Sequence, residues 1–148
     1  MNIIHALEPL PKSIFLAGPT PRSQHVPSWR PEALRLLQQL GFEGTVMVPE
    51  QNGDWRLDEY DHQILWEWEG LATATVIVFW VPRELATMPA FTTNVEFGLF
   101  AAQQKAVLGY PKGAPKMGYL DRLARRYQLP VFSTLDETLK AAIERTRG

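Results

Sequence analysis

Residues 75–81, TVIVFWV, form a continuous apolar run that is rich in β-branched and aromatic side chains and ends at Pro82. Such a run is typical of a strand buried on both faces of a sheet. A proline-marked loop follows it, and residues 91–105 (FTTNVEFGLFAAQQK) are predicted to form the next helix. The order strand, loop, helix indicates an α/β fold.

Strand and helix alternate along the rest of the chain. Further strands are predicted at residues 14–17, 45–48, 106–108 and 131–132, and further helices at residues 28–40, 58–73, 116–127 and 134–145. Ser28 is the predicted cap of the first helix, and Ser133 or Thr134 is the predicted cap of the last. Five alternations predict a five-stranded parallel sheet covered by helices on both faces.

The composition bounds the class of protein. The chain has 148 residues, of which 45% are hydrophobic, so we expect a single domain over residues 1–148. It has no cysteine, which excludes disulfides and thiolate catalysis, and its three histidines lack the spacing of metal ligands. No signal peptide or membrane span is evident, and a net charge of −1 does not favour nucleic acid. We therefore expect a cytoplasmic protein with no metal.

Glu96 is the carboxylate that this fold brings nearest to a ligand site. Ligands of open α/β sheets bind at the carboxyl ends of strands, and Glu96 is predicted in the first turn of the helix after the 75–81 strand. A helix N-terminus favours the ionised form that a nucleophile needs. However, Thr93 and Glu96 also form the S/T-x-x-E pattern of a capping box. By themselves these residues favour the capping interpretation.

The loop GPTPR after the first strand is the second candidate site. Gly18 allows close approach of the backbone, and the prolines stiffen the turn. The loop is neither a dinucleotide-binding glycine motif nor a P-loop, so no cofactor is predicted. Thr20 and Arg22 are candidates for binding an anion or sugar hydroxyls, with an exposed turn as the alternative. Trp66 and Trp80 are candidates for stacking on a base, although most tryptophans belong to cores or interfaces.

Because no serine-hydrolase or metal-binding motif is present, the type of catalysis that remains for this sequence is carboxylate chemistry. Glu96 is the candidate nucleophile, and its candidate partners are Glu67, Glu69, Asp61 and Glu50. Retaining glycosidases use such a pair: one carboxylate attacks the glycosidic carbon and the other manages a proton.

Six blocks of sequence carry a resemblance. They are FLAGPTPR (15–22), SWR (28–30), VPE (48–50), QxxWE (63–67), FWVPR (79–83) and MPAFTTNVEFG (88–98). Together they resemble the nucleoside 2-deoxyribosyltransferase-like family, over about residues 14–120. Glu96 matches the catalytic glutamate of the Glu-x-Gly element in the wider superfamily, which reverses the preference for the capping interpretation.

The resemblance implies a Rossmann-like, flavodoxin-type domain with strand order 2-1-3-4-5. It implies attack by Glu96 on C1′ of a 2′-deoxynucleoside, followed by transfer of the sugar to another base, with a small-molecule nucleoside or nucleotide as the partner. The substrate-binding residues that we predict on this basis are Gly18, Pro19, Thr20, Arg22, Trp66, Trp80, Arg83, Thr93 and Asn94.

One position departs from the family pattern. Typical members carry an aspartate, implicated in proton transfer, six residues before the glutamate, where this chain has Ala90. They also have Gly-Thr in place of Thr92 and Thr93. Protonation of the leaving base would then fall to Glu67 or Arg83, or the activity differs.

Two alternative functions stay open. One is hydrolysis of deoxynucleoside 5′-monophosphates, with Arg22 binding the phosphate. The other is a non-catalytic nucleotide-binding or sensing module, which Ala90 favours. We also expect a homo-oligomer, which the resemblance implies and the apolar residues Met88, Phe91 and Phe97 support; the alternative is that these residues complete a monomeric core.

Overall fold

The computed structural model describes residues 12–23, 25–50 and 60–148. Its centre is a parallel sheet of five strands in the order β2-β1-β3-β4-β5. The strands are β1 (Ser13–Ala17), β2 (Thr45–Met47), β3 (Val76–Trp80), β4 (Ala106–Gly109) and β5 (Val131–Phe132). The predicted flavodoxin-type sheet and its strand order are confirmed, and each strand lies within one residue of its predicted ends.

Five α-helices flank the sheet in the described part of the chain. They are α1 (Arg30–Gln39), α2 (Tyr60–Thr73), α3 (Phe91–Phe100), α4 (Gly118–Arg126) and α5 (Leu135–Thr146). The predicted cap of α5 is confirmed, because the Thr134 hydroxyl accepts a hydrogen bond from the backbone N–H of Glu137 at 3.2 Å. The predicted loop at residues 51–54 and the start predicted for the second helix, residues 58–59, lie outside the described residues.

Several predicted helix ends are wrong, among them the start of α4, which is Gly118 and not residue 116. The N-cap of α1 is Trp29, so Ser28 lies one residue before the cap, although its hydroxyl still accepts the N–H of Arg30 at 3.2 Å. The helix α3 ends at Phe100, and a 3₁₀ turn, Ala101–Gln103, fills the segment predicted as its last turn. The α-helical pattern continues into a tighter turn there, which is common at helix ends.

The sheet has a core on each face, because successive strand residues point to opposite sides. Phe15 and Phe79 pack on the side of α2, α3 and α4, where Phe79 meets Phe97 edge-on at 5.1 Å between ring centroids. Leu16 and Val78 pack on the side of α1 and α5. Burial on both faces is the reason why the strands are continuous apolar runs in the sequence.

The C-terminal end of α2 is closed by a side chain that lies next to β4. The ammonium group of Lys105 donates to the carbonyls of Leu71 at 2.6 Å, Ala72 at 2.9 Å and Ala74 at 3.2 Å. The last carbonyls of a helix lack partners within it, and a cation near them also interacts favourably with the helix dipole. This contact fixes α2, the helix that carries Glu67, against the sheet.

The order in which successive strands are added to the sheet reverses between β1 and β3. These strands are neighbours in the sheet, while α1 and β2 lie between them in the sequence. The connections that leave the two strands therefore run to opposite sides and leave a crevice at the strands' carboxyl ends, which is where ligands bind in this architecture.

Within the described residues, no helix has the length and apolarity needed to cross a membrane. The cytoplasmic location expected from the sequence stays a prediction.

Candidate active site

A cleft of about 1060 Å³ occupies the crevice between β1 and β3. Its walls are the loop after β1, the start of α1, the residues after β2, one face of α2 and the first turns of α3. Its charged lining residues are Arg22, Arg30, Glu50, Glu67 and Glu96. The volume is close to the upper limit for small-molecule sites, which is about 1,000 Å³.

The loop after β1 is held in one conformation by close packing. Gly18 has φ +138°, and a Cβ atom there would lie 2.2 Å from the carbonyl oxygen of Trp80 and 2.9 Å from the ring of Trp29. The indole N–H of Trp29 donates to the carbonyl of Pro19 at 3.1 Å. Because only glycine fits, the chain turns tightly here and brings the exposed Thr20 and Arg22 side chains to the cleft.

The helix α3 begins earlier than a capping box requires. Its N-cap is Ala90, in a left-handed conformation (φ 63°, ψ 40°), and no side chain caps it. Glu96 is therefore in the second turn and not in the first, so the capping interpretation and the expected help from the helix N-terminus are both wrong. A left-handed alanine costs on the order of 1 kcal/mol, and strained residues of this kind cluster at functional sites.

Glu96 and Glu67 face the cleft from α3 and α2. Burial raises the pKa of Glu96 to about 7, with the negative charge of Glu67 acting in the same direction and the charge of Arg30 opposing it. Burial also raises the pKa of Glu67, against a hydrogen bond from the Gln63 amide at 3.2 Å and the charge of Arg30. Burial and the charge of Glu67 therefore both disfavour a state in which the two carboxyl groups are ionised at once.

Arg30 is a site residue that sequence reasoning missed. Its side chain is 1% exposed, yet it lines the floor of the cleft. The guanidinium group donates to the carbonyls of Leu16 and Gly18 and to the hydroxyl of Thr20, and it lies 3.6 Å from the Glu50 carboxylate. The available signal was the SWR block, which places an arginine in a first helical turn where a solvated side chain would be expected.

The structure brings most of the predicted site residues together. The two carboxylates and five predicted substrate-binding residues line one cleft: Glu67, Glu96, Gly18, Pro19, Thr20, Arg22 and Thr93. These residues come from one strand end and two helices, which only the folded sheet makes neighbours.

Four predicted substrate-binding residues lie outside the cleft lining: Trp66, Trp80, Arg83 and Asn94. Trp80 is buried between the sheet and α1 and α5. Trp66 packs against the ring of Phe15 at 6.0 Å between centroids, and Trp68, two residues on, lines the cleft instead. Trp68 lines the cleft and Trp66 does not, because residues two apart on a helix face different directions.

Arg83 and Asn94 bind each other. The Arg83 guanidinium group donates to the side-chain oxygen of Asn94 and to the carbonyl of Lys116, the latter at 2.6 Å. Arg83 is 4% exposed, so it connects the start of α3 to the segment before α4 from the interior. It is therefore not in a position to protonate a base in the cleft.

A family model described as nucleoside 2-deoxyribosyltransferase like matches residues 11–114. The chain belongs to the nucleoside 2-deoxyribosyltransferase-like family. The predicted resemblance is thereby confirmed, and the matched segment contains every residue that lines the cleft. A search among curated proteins found no significant match.

The arrangement has the elements of carboxylate chemistry on a neutral or anionic ligand. Glu67 and Glu96 supply two carboxyl groups whose pKa values are both raised by burial. Arg30 and Arg22 supply positive charge, and the hydroxyl of Thr20 supplies a hydrogen-bonding group. Such a cleft can stabilise a positive sugar and hold a polar substituent on it.

Proposed function

We propose that this protein cleaves the N-glycosidic bond of 2′-deoxynucleosides and transfers the deoxyribosyl group to another base. The observation that carries the proposal is the carboxylate pair in the cleft: Glu96 and Glu67 both line it, and the charge of Glu67 raises the pKa of Glu96. Membership of the nucleoside 2-deoxyribosyltransferase-like family supports the same reaction class.

In the reactive form of the pair, the proton resides on Glu67 and Glu96 is ionised. The Glu96 carboxylate attacks C1′ while the C1′–N bond to the base breaks and Glu67 protonates the departing base. The product is a sugar ester on Glu96. An acceptor base then attacks C1′, gives its proton to Glu67 and releases the carboxylate, so no other reactant is consumed.

The role of Glu96 follows the family motif and not its pKa alone. Because the pKa of Glu96 is about 7, this side chain is protonated in a fraction of the molecules at neutral pH when no substrate is bound. The proposed mechanism requires that this proton resides on Glu67 when Glu96 attacks. The charge of Arg30 favours the ionised form of Glu96, because it opposes the rise in its pKa, and it acts on Glu67 in the same direction.

Base exchange and covalent labelling test the proposal. Incubation with a deoxynucleoside and a second base should yield the new deoxynucleoside. A 2-fluoro-2-deoxy nucleoside should leave a sugar ester on Glu96, because fluorine destabilises the oxocarbenium-like transition state and slows release. If mass spectrometry locates the sugar on Glu67, then Glu67 is the nucleophile and Glu96 the proton donor. Binding of the ligand without turnover would favour the non-catalytic sensing module.

Hydrolysis of deoxynucleoside 5′-monophosphates is the second candidate. It is favoured by the exposed group at the cleft mouth that consists of Thr20, Arg22 and Ser23, which suits a phosphate. Water would then take the place of the acceptor base. Free base released from a monophosphate, with no exchange product in the presence of an acceptor, would identify this activity.

We further propose that the chain forms a homo-oligomer through α3. Phe91, Val95 and Leu99 are spaced by four residues and are each about 60% exposed or more, which makes a continuous apolar stripe along the helix that also lines the cleft. A monomer mass by light scattering at micromolar concentration would contradict this.

Residues 1–148 are proposed as one domain, since β5 and α5 lie beyond the matched segment but complete the same sheet and its second core.

A further inference from the structure

The position of Arg30 is not explained by its role in packing alone. Its Nε donates to the Leu16 carbonyl at 3.0 Å and its Nη2 to the Gly18 carbonyl at 2.8 Å, so it grips the end of β1 and the turn after it. The planar guanidinium group also lies 4.9 Å from the centre of the Trp29 ring. One rigid side chain thus fixes the backbone that forms the near wall of the cleft.

The third donor of Arg30 acts on the loop's hydroxyl group. Nη1 donates to Thr20 Oγ1 at 2.8 Å, so this oxygen accepts from a cation. The hydroxyl proton of Thr20 then has to point to another acceptor, and Thr20 is exposed on the cleft side. Arg30 thereby turns Thr20 into a donor toward a bound ligand.

The charge of Arg30 meets carboxylates from three elements. Glu50, after β2, lies 3.6 Å from Nη1 and also accepts the hydroxyl of Ser28 at 2.8 Å. Glu67 of α2 and Glu96 of α3 interact with the same guanidinium group through space. Glu50 is the ion-pair partner, so it competes with the other two carboxylates for one positive charge.

We propose that Arg30 is a positioning residue of this cleft. It holds the loop after β1 so that the Thr20 hydroxyl donates to the ligand, and its charge, moderated by Glu50, favours the carboxylate form of Glu96. The consequence for turnover rests on the proposed function, whereas the effect on Glu96 does not.

Two variants should move the ionisation of Glu96 in opposite directions. In Arg30→Gln, the pKa of Glu96 should rise by about one pH unit, because the favourable charge is gone. In Glu50→Gln it should fall, because Arg30 loses the carboxylate that neutralises it. The measurement is a carboxyl NMR titration of protein labelled with ¹³C at glutamate, with the Glu96 signal assigned by its loss in Glu96→Gln.

A purely structural role of Arg30 predicts a different result. It would leave the Glu96 titration unchanged in Glu50→Gln, which removes no bond from the β1 loop, and that outcome overturns the electrostatic part of the proposal. Because Arg30→Gln removes a buried side chain and can prevent folding, the result for Glu50→Gln is interpreted together with that for Arg30→Lys. Arg30→Lys, which keeps the charge, should leave the pKa of Glu96 near its wild-type value.

The effect on Thr20 is tested by binding. Thr20→Val and Arg30→Lys should each weaken binding of 2′-deoxyadenosine or its 5′-monophosphate about tenfold, and the double variant should be no weaker than either one. Losses that multiply in the double variant would show that Arg30 does not act through Thr20.

The outcomes for Arg30 and for the proposed function are separate. Opposite titration shifts in the two variants, together with a wild-type protein that shows neither base exchange nor hydrolysis, support the role of Arg30 and contradict the reaction. A protein that exchanges bases while the Glu96 titration stays unchanged in Glu50→Gln supports the reaction and contradicts the role of Arg30.

Discussion

The two buried arginines near the carboxyl edge of the sheet, Arg30 and Arg83, do different work. Arg30 has a carboxylate partner, Glu50, and faces the cleft with two more carboxylates in range. Arg83 donates only to neutral oxygens, and its Nε is buried with no hydrogen-bond partner in the described structure. The comparison indicates that a buried arginine next to a site affects its chemistry when carboxylates of that site are in range. A buried arginine that binds only neutral oxygens has a structural role.

The largest effect expected is that of Glu96→Gln, which tests whether the cleft beside Arg30 is the reaction centre. Glutamine has nearly the same shape but cannot form the sugar ester, so turnover should fall by at least about 10⁴-fold with the fold intact. Steady-state base exchange and circular dichroism measure the two properties. Glu69→Gln is the matched control, because Glu69 is an exposed glutamate that lies outside the cleft lining. If Glu96→Gln retains wild-type turnover, Glu96 is not the nucleophile.

A smaller loss is expected for Glu67→Gln. A general acid typically contributes 10²–10⁴-fold, so turnover of an ordinary deoxynucleoside should fall by about 10³-fold. A substrate with an acidic leaving group does not need protonation, and with it the variant should approach the wild-type rate. If both substrates lose the same factor, Glu67 acts on binding or on Glu96 and not as the acid.

Arg83→Met should separate the second arginine from the chemistry. The carbonyl of Lys116 and the side-chain oxygen of Asn94 lose their donor, so the free energy of unfolding should fall by about 2 kcal/mol. Turnover per folded molecule should stay within about threefold, because the Arg83 side chain does not line the cleft. Urea unfolding and active-site titration measure these quantities, and a tenfold loss of turnover at unchanged stability would mean that the two arginines are not as different as the structure indicates.

The last effect expected is a pH dependence of stability that originates at Glu96. Its pKa is raised from 4.5 to about 7 in the folded protein, so the unfolded chain ionises first and stability is lost as the pH rises through this range. Glu96→Gln removes that loss. The variant should therefore gain about 2 kcal/mol relative to wild type between pH 5 and pH 8, as measured by urea unfolding. If the difference in the free energy of unfolding between the variant and wild type does not change with pH, folding does not raise the pKa of Glu96.

Much of the fold followed from local patterns. Continuous apolar runs such as 75–81 predict buried strands, and their alternation with helices leaves few arrangements other than a parallel sheet with two covered faces. Glu96 could be selected as a candidate because a motif of several residues surrounds it, and motifs are local in sequence. Trp66 and Trp80 could not be judged in the same way, since a tryptophan has the same composition signal in a core and in a site.

The sequence by itself determined the family, the strand order implied by it, and the two glutamates that carry the proposed chemistry. Only the tertiary structure decided which side chains share the cleft. Arg30 contacts Leu16, Gly18 and Glu50, partners that are 12 to 20 residues away, and Arg83 meets Lys116, which is 33 residues away. Such contacts depend on the register of neighbouring strands and on the direction that each helix face points, and no local pattern in the chain encodes either one.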